Sequence, residues 1–361
     1  MSAQGPFCYA IVILISATLA VPTKAQLGNK VRTILNGDPL APPDYDTAYV
    51  ANYRSDLVIS VVTRYQLVEI DLEQDHGGDG LSYSTNTNGQ YGLGINYKWL
   101  SAEATFNVPA LDNYDQAYGK TTSRGFGLGY TGRRLWVRGF WSNAEGYYMN
   151  DPERWVVGRT DEDPPVVRSD LGTNTYLLSA NYALSGKKRY SQNAAVFQLE
   201  RQKRSAGTFV VGLSGWRTIV DADSSIIGGA LLDTFNLVNG FTELRRTLIC
   251  ASIGYTHTFA FWHKGFINFA IMPGVAYVQQ AIVTSPTEEL KGSKVASATE
   301  FKAGAGFNGD RWYCALTTSV YYSTTPIADK LSVGTNYVFV RFALGVRLEG
   351  PKSGVLKKVG L

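Results

Sequence analysis

The segment SQNAAVFQLERQKRSAGTFVVGLSGW, Ser191 to Trp216, decides how this chain folds. It is too long for one ordinary strand, and its middle is too polar for a core helix. Apolar alternation flanks a charged knot, Glu200-Arg201-Gln202-Lys203-Arg204, which is followed by Ser205-Ala206-Gly207. A soluble protein would turn back at the knot. A single interrupted strand, with the knot facing a polar lumen, makes the rest of the chain consistent.

Alternating strands run outward from this segment in both directions. Towards the N-terminus the readings are 173–184, 135–142, a strand around Phe126 to Tyr130, another around Ala102 to Val108, 82–98 and 56–70. Towards the C-terminus they are 247–259, 266–279 (with Pro273 implying a bulge or local break), a strand around Phe301, 312–322 and 336–348. Short turns are expected at Trp99, Thr131, Lys187, Trp262 and Asn308-Gly309-Asp310. Long loops are expected after Glu73, Pro109, Asn143, Val220 and Thr284. Short turns and long loops alternate all the way round only if Ser191 to Trp216 is one strand. The total is then about 12, an even number; a split at the knot gives an odd one and puts long loops at the wrong end.

Composition supports the same reading. The chain has 361 residues with Gly 37, Tyr 22 and Trp 7, and only 18% are charged. Mean hydropathy is −0.10, which fits alternating strands and not helical spans of about 20 apolar residues. Many strands exceed ten residues, as a tilted bilayer crossing requires, whereas sandwich strands average about 5–6. Aromatics crowd the strand ends (Tyr97, Trp99, Tyr130, Trp141, Trp216, Trp312, Tyr322), as interface girdles do. The fold expected is therefore all-β, a transmembrane antiparallel up-and-down β-barrel of about 12 strands. Its partner is outer-membrane lipid. A net charge of +4, dispersed along the chain, is no nucleic-acid footprint.

Tyr9 to Val21 is a short apolar run, and Thr23-Lys24-Ala25 precedes Gln26 as an export cleavage site would. The expected organisation is a signal peptide (1–25), a periplasmic lead-in (26–54) rich in proline at Pro39, Pro42 and Pro43, the barrel (55–349) and a C-terminal tail (350–361). Cys250 and Cys314 fall inside strands and read as small apolar residues, not as a disulfide or metal pair.

The block Gln198 to Gly207, with Asp46-Thr47 just ahead of the first strand, Asp46 to Leu57 and Leu81 to Trp99, resembles the domain of unknown function 4421 family. These are outer-membrane-type proteins of the Bacteroidetes group. The resemblance runs from Asp46 to the last strand, with Thr85-Asn86 standing where the family has Pro-Asn. It implies a barrel and an outer-membrane address. The family brings no established activity, so no catalytic, cofactor or metal residues carry over.

The candidate site is a lumenal charge cluster. Gln198, Glu200, Gln202 and Arg204 share one face of the knot, and Arg201 and Lys203 share the other. Either a bulge, for which Ser205-Ala206-Gly207 is suited, turns most of the charge inward or the knot lies above the membrane. Turned inward, the first four would join Arg64, Lys98, Glu103, Arg138, Glu300, Lys302, Arg341 and Arg347. Such a cluster either lines a conducting pore or fills a narrow barrel with paired charges. His76, in Asp75-His76-Gly77-Gly78-Asp79, matches no complete calcium motif and reads as an exposed loop. His257 and His263 are the histidines a membrane hydrolase would use, but no Gly-x-Ser-x-Gly elbow accompanies them. Three functions follow in order: a passive channel or transporter, a closed structural barrel binding a protein partner through its outer loops, and, weakest, a membrane hydrolase. The loop around Asp161 and the loop after Val220 are the surfaces for the second.

Overall fold

In the segment that decides the fold, the membrane crossing begins only at Ala206. The computed structural model describes residues 44–350 apart from 75–80, 87–88, 109–110, 112–114, 185–187, 227–239, 286–287, 323 and 329–330. The proposed signal peptide, most of the lead-in, His76 and the tail beyond residue 350 lie outside the described residues.

Sixteen strands are described: β1 (Val50–Asn52), β2 (Leu57–Gln74), β3 (Leu81–Thr85), β4 (Gln90–Tyr97), β5 (Leu100–Phe106), β6 (Thr122–Thr131), β7 (Leu135–Met149), β8 (Val167–Ala183), β9 (Glu200–Gln202), β10 (Ala206–Asp221), β11 (Glu243–Phe261), β12 (Gly265–Ser285), β13 (Glu288–Asn308), β14 (Trp312–Tyr322), β15 (Thr324–Ala328) and β16 (Leu331–Leu348). β1 and β9 pair with each other, and the other fourteen make one antiparallel sheet. β3 with β4, and β14 with β15, are successive halves of single crossings, so the sheet is a 12-strand barrel. It is closed by β16 on β2, from Leu331 opposite Gln74 to Leu348 opposite Leu57. Closure leaves no free edge, the condition for a sheet in hydrocarbon.

The wall alternates as the sequence implies. Val61, Leu93, Phe126, Leu213, Ile253 and Leu316 are exposed on the outside, while Ser60, Arg64, Thr105, Asn181 and Thr218 are buried inside. A closed barrel with an apolar outer belt is built for lipid. Aromatic pairs sit near the short-turn end, Trp99 beside Tyr130 and Trp312 stacked on Phe307 at 4.8 Å. Trp216 departs from the expected girdle. It is buried, pointing into the lumen with Tyr321 at 4.2 Å, because its even position on β10 shares the inner face with Thr218 and Val220.

Three other expectations are corrected, the first only in part. Pro273 marks the local break and not a bulge: the β11–β12 ladder skips Ile253 and Gly254 opposite Pro273 and Met272, then resumes in the same register. Proline lacks the N–H, and at Gly254 a Cβ would stand 2.0 Å from the Ile271 carbonyl, so the two backbones close up there. The loop expected from Thr284 to Lys294 is mostly strand, since β12 runs to Ser285 and β13 starts at Glu288. Each strand supplies an ordered partner for the other, so pairing continues through polar sequence. The third correction is the knot. Residues 191–205 do not cross the membrane; β9 is a three-residue strand paired with β1 from the lead-in, with Val50 opposite Gln202 and Asn52 opposite Glu200. The count of twelve survives because β10 alone makes the crossing.

Candidate functional site

The connection from β8 to β10 folds into the short-turn end of the lumen and forms a floor. One π-helical turn, Asn193–Phe197, leads to Gln198 at φ 52° and then to β9. Asn193, Ala194, Ala195, Gln198, Leu199, Glu200 and Gln202 are all buried. Phe197 and Leu199 pack on the inward faces of the wall, against Val58, Val62, Phe266 and Tyr313. Those contacts seat the segment by apolar burial, and its polar groups then need internal partners.

They have them. Arg133 donates to Glu200 Oε2 at 2.5 Å, Ser191 Oγ donates to the same oxygen at 2.5 Å, and Arg54 approaches Oε1 at 3.7 Å. Arg347 donates to the Gln198 carbonyl at 2.7 Å, to Asn308 Oδ1 at 2.5 Å and to the Gly309 carbonyl. Asn308 Nδ2 donates to the Glu200 carbonyl at 3.0 Å. Gln202 Nε2 donates to the Arg189 and Arg204 carbonyls at 2.6 and 2.8 Å, and its Oε1 accepts from Ser191 N at 3.0 Å. Tyr190 shares a 3.0 Å hydrogen bond with Thr256, and burial pushes its hydroxyl up to about 12. At the rim, Asp310 accepts from Arg201 at 2.6 Å, Lys264 at 2.8 Å and Tyr53 at 3.0 Å. Hydrogen bonds from Lys264 and Arg201 hold its carboxyl well below the usual carboxylate range.

A second polar group lies above the floor. Glu103 on β5 accepts from Arg64 on β2 and, at 2.7 Å, from Arg341 on β16. The Arg64 guanidinium stacks 4.2 Å over Phe140. Arg138 on β7 lies within electrostatic reach of Glu103 and Arg341. Lys302 pairs with Glu300 at 2.5 Å on β13. Between this group and the floor is a cavity of about 110 Å³, lined by Arg64, Arg138, Lys302 and Arg341 and, from the floor, by Gln192, Ala195 and Phe197.

The loop end is closed by a different material. Leu81, Tyr83, Tyr147, Met149, Leu171, Leu244 and Ile282 turn inward and pack with Ile226 and Phe241 from the loop after β10. Tyr83 ties that loop down by donating to the Ile226 carbonyl at 2.6 Å. Arg168 donates to Asp170 at 2.9 Å and to the Ser225 carbonyl at 2.9 Å, holding the same loop from β8.

The twelve residues singled out in the sequence therefore divide. Arg64, Glu103, Arg138, Glu300, Lys302 and Arg341 meet in mid-lumen. Gln198, Glu200, Gln202 and Arg347 meet in the floor. Lys98 and Arg204 join neither. Lys98 occupies the β4–β5 turn at φ 51°, with its ammonium over Tyr97. Arg204 is exposed beside Tyr49, because β9 ends at Gln202 and the alternation ends with it. Sequence reasoning missed Arg133, Asn308, Tyr190 and Asp310. Arg133 and Asp310 stand in hairpin turns and Asn308 ends β13 beside one, where sequence gives the length of a turn and not the direction of its side chains. His257 faces outward and shares a 3.0 Å hydrogen bond with Tyr255. Cys250 is buried with Ala276 and Val278, and among the described residues Cys250 and Cys314 are both free.

No curated protein matches the chain in sequence. Solved structures that resemble it are bacterial outer-membrane barrels. The outer membrane protease OmpT of Escherichia coli aligns at TM-score 0.38 and 7% identity, over 82% of this chain and 98% of that one. The translocator domain of the autotransporter NalP from Neisseria meningitidis aligns at 0.33 and 11%, over 95% and 99%. The P. putida toluene transporter TodX aligns at 0.28 and 9%, over 82% and 91%. These scores carry no argument about activity. The model of a domain of unknown function, DUF4421, matches residues 44–347, and the chain belongs to that family.

Proposed function

We propose that this protein is a closed outer-membrane barrel that does not conduct at rest and works by engaging a protein partner at its loop end. One observation carries the reading: residues 190–202 of the chain itself occupy the short-turn end of the lumen and are bonded to four parts of the wall, through Arg133, Asn308, Arg347 and Thr256. A pore would require that segment to leave, breaking buried charge-assisted bonds each worth about 1.5–3 kcal/mol. The apolar closure at the other end argues the same way. By the usual arrangement of such barrels the short turns face the periplasm and the long loops face outward. The export leader read in the sequence agrees with that address.

The surface offered outward includes residues 150–166, where Asp161, Glu162 and Asp163 are exposed and Val157 is 88% exposed. Thr160 N donates to Asp163 at 2.8 Å, which orders the acidic tip. A hydrolase reading draws nothing from His257, which faces away from the lumen. The test is ion conductance of the refolded, leader-free protein in a planar bilayer. No steady wild-type current supports a closed barrel; an ohmic, ion-selective current overturns it and restores the channel.

A further inference from the structure

The mid-lumen cavity carries a charge imbalance that the closed-barrel reading does not use. Four cations line it, Arg64, Arg138, Lys302 and Arg341, and two carboxylates, Glu103 and Glu300, pair with three of them. An excess of two positive charges remains. Glu103 is shared between Arg64 and Arg341, and Glu300 is taken by Lys302. Arg138 is left over. Among the described residues it has no hydrogen bond and no carboxylate within ion-pair distance, although it sits deep in the barrel on the cavity wall.

A guanidinium stays charged at any pH a protein survives, so Arg138 cannot escape by losing its proton. Unpaired charge away from bulk water is costly, and water in the cavity would solvate it without cancelling it. The remaining lining suits an anion. Ser179, Asn181, Gln192, Thr317 and Ser319 supply neutral donors around the same space. The cavity, about 110 Å³, has room for a small polyatomic ion together with several waters. The planar fork of arginine favours oxyanions, which it can bind through two parallel hydrogen bonds.

We propose that the lumen of this barrel holds a small oxyanion, inorganic phosphate or a simple carboxylate, at a site built by Arg138 with Arg341 and Lys302. The site is independent of whether the barrel conducts, since an anion held there would occupy either a closed lumen or the constriction of a pore.

The experiment is calorimetric titration of the refolded full chain in uncharged detergent with inorganic phosphate and, separately, with acetate. Ionic strength is held constant with sodium chloride, whose monatomic anion offers the arginine fork no pair of oxygens. Saturable binding of about one equivalent is expected, weakened at least tenfold by Arg138→Leu and unchanged by Lys203→Gln, a substitution at the exposed rim. Binding of both anions, each displacing the other, gives a general oxyanion site; binding of phosphate alone narrows it to phosphate. Should Arg138→Leu fail to refold, Arg138→Lys keeps the charge, loses the fork and is expected to bind several-fold more weakly. No saturable binding of either anion to wild type overturns the proposal, as does equal affinity in the Arg138 variants.

Discussion

At the short-turn end the lumen is shut by the hydrogen-bonded side chains of Ser191, Gln198, Glu200 and Gln202, whereas at the loop end it is shut by Tyr83, Tyr147, Met149, Leu244 and their apolar neighbours. Both ends are packed with buried side chains, but they respond differently to change. The floor is held by directional bonds, several of them to charged groups, so removing one partner strands another. The roof is held by non-directional burial, which loses strength in proportion to the atoms removed and can repack. A floor of this kind is a specific latch; a roof of this kind is a packed cap.

The largest effect separating the two is expected at Glu200. Glu200→Ala removes the carboxylate to which Arg133 and Ser191 both donate, and breaking a buried ion pair from one side costs about 3–5 kcal/mol. Denaturant unfolding in micelles measures the loss, and the same variant should give transient currents in a bilayer. Next comes the roof. Phe241→Ala empties a fully buried ring position at a cost of about 3 kcal/mol, yet it should pass no current, because the floor stays bonded. Comparable currents from both variants would erase the distinction between latch and cap.

Alkaline pH tests the floor more gently. The Tyr190 hydroxyl titrates near 12 in the folded chain, against an ordinary value of 10, with burial as the main cause. A raised value means that the folded state holds the proton longer. Its contribution is complete below pH 10 and is lost as pH rises from there through 12, amounting to about 3 kcal/mol. Tyr190→Phe should flatten that limb of the stability profile relative to wild type. The smallest effect belongs to the exposed rim. Asp310 is held below the usual carboxylate range, so its contribution is present above about pH 4 and is lost as pH falls below that. The site is more than half exposed, and screening keeps Asp310→Asn under about 1 kcal/mol.

The barrel was legible because its evidence repeats. Gly92, Leu93, Gly94, Ile95 and their counterparts state the same alternation on strand after strand, and turn lengths fix the parity. The floor was not legible, and the reason is local. Residues 198–202 alternate as a membrane strand does, and their inward side is the one expected: Gln198, Glu200 and Gln202 are buried. Alternation tells which residues share a face, not which strand lies opposite. The partner of β9 is Val50–Asn52, a stretch that composition marks as irregular lead-in. One signal was present. Arg201 and Lys203 put charge on the second face as well, which a lipid-facing strand tolerates poorly. In mid-lumen the reverse holds: Arg64, Glu103 and Arg341 were readable as inward residues, but their meeting depends on barrel closure between β2 and β16, which joins strands at opposite ends of the sequence.

The most direct measurement of the central claim, that the chain's own floor closes the lumen, is thiol accessibility at Ala194. This residue is 2% exposed, and Asn308 donates to its carbonyl. In the leader-free chain, which lacks Cys8, and with Cys250 and Cys314 replaced by alanine, Ala194→Cys is exposed to a charged, membrane-impermeant thiol reagent in folded vesicles, beside Lys203→Cys at the exposed rim. The account predicts rapid labelling at position 203 and none at 194 until the barrel is unfolded. Equal labelling at both positions in the folded protein would contradict it.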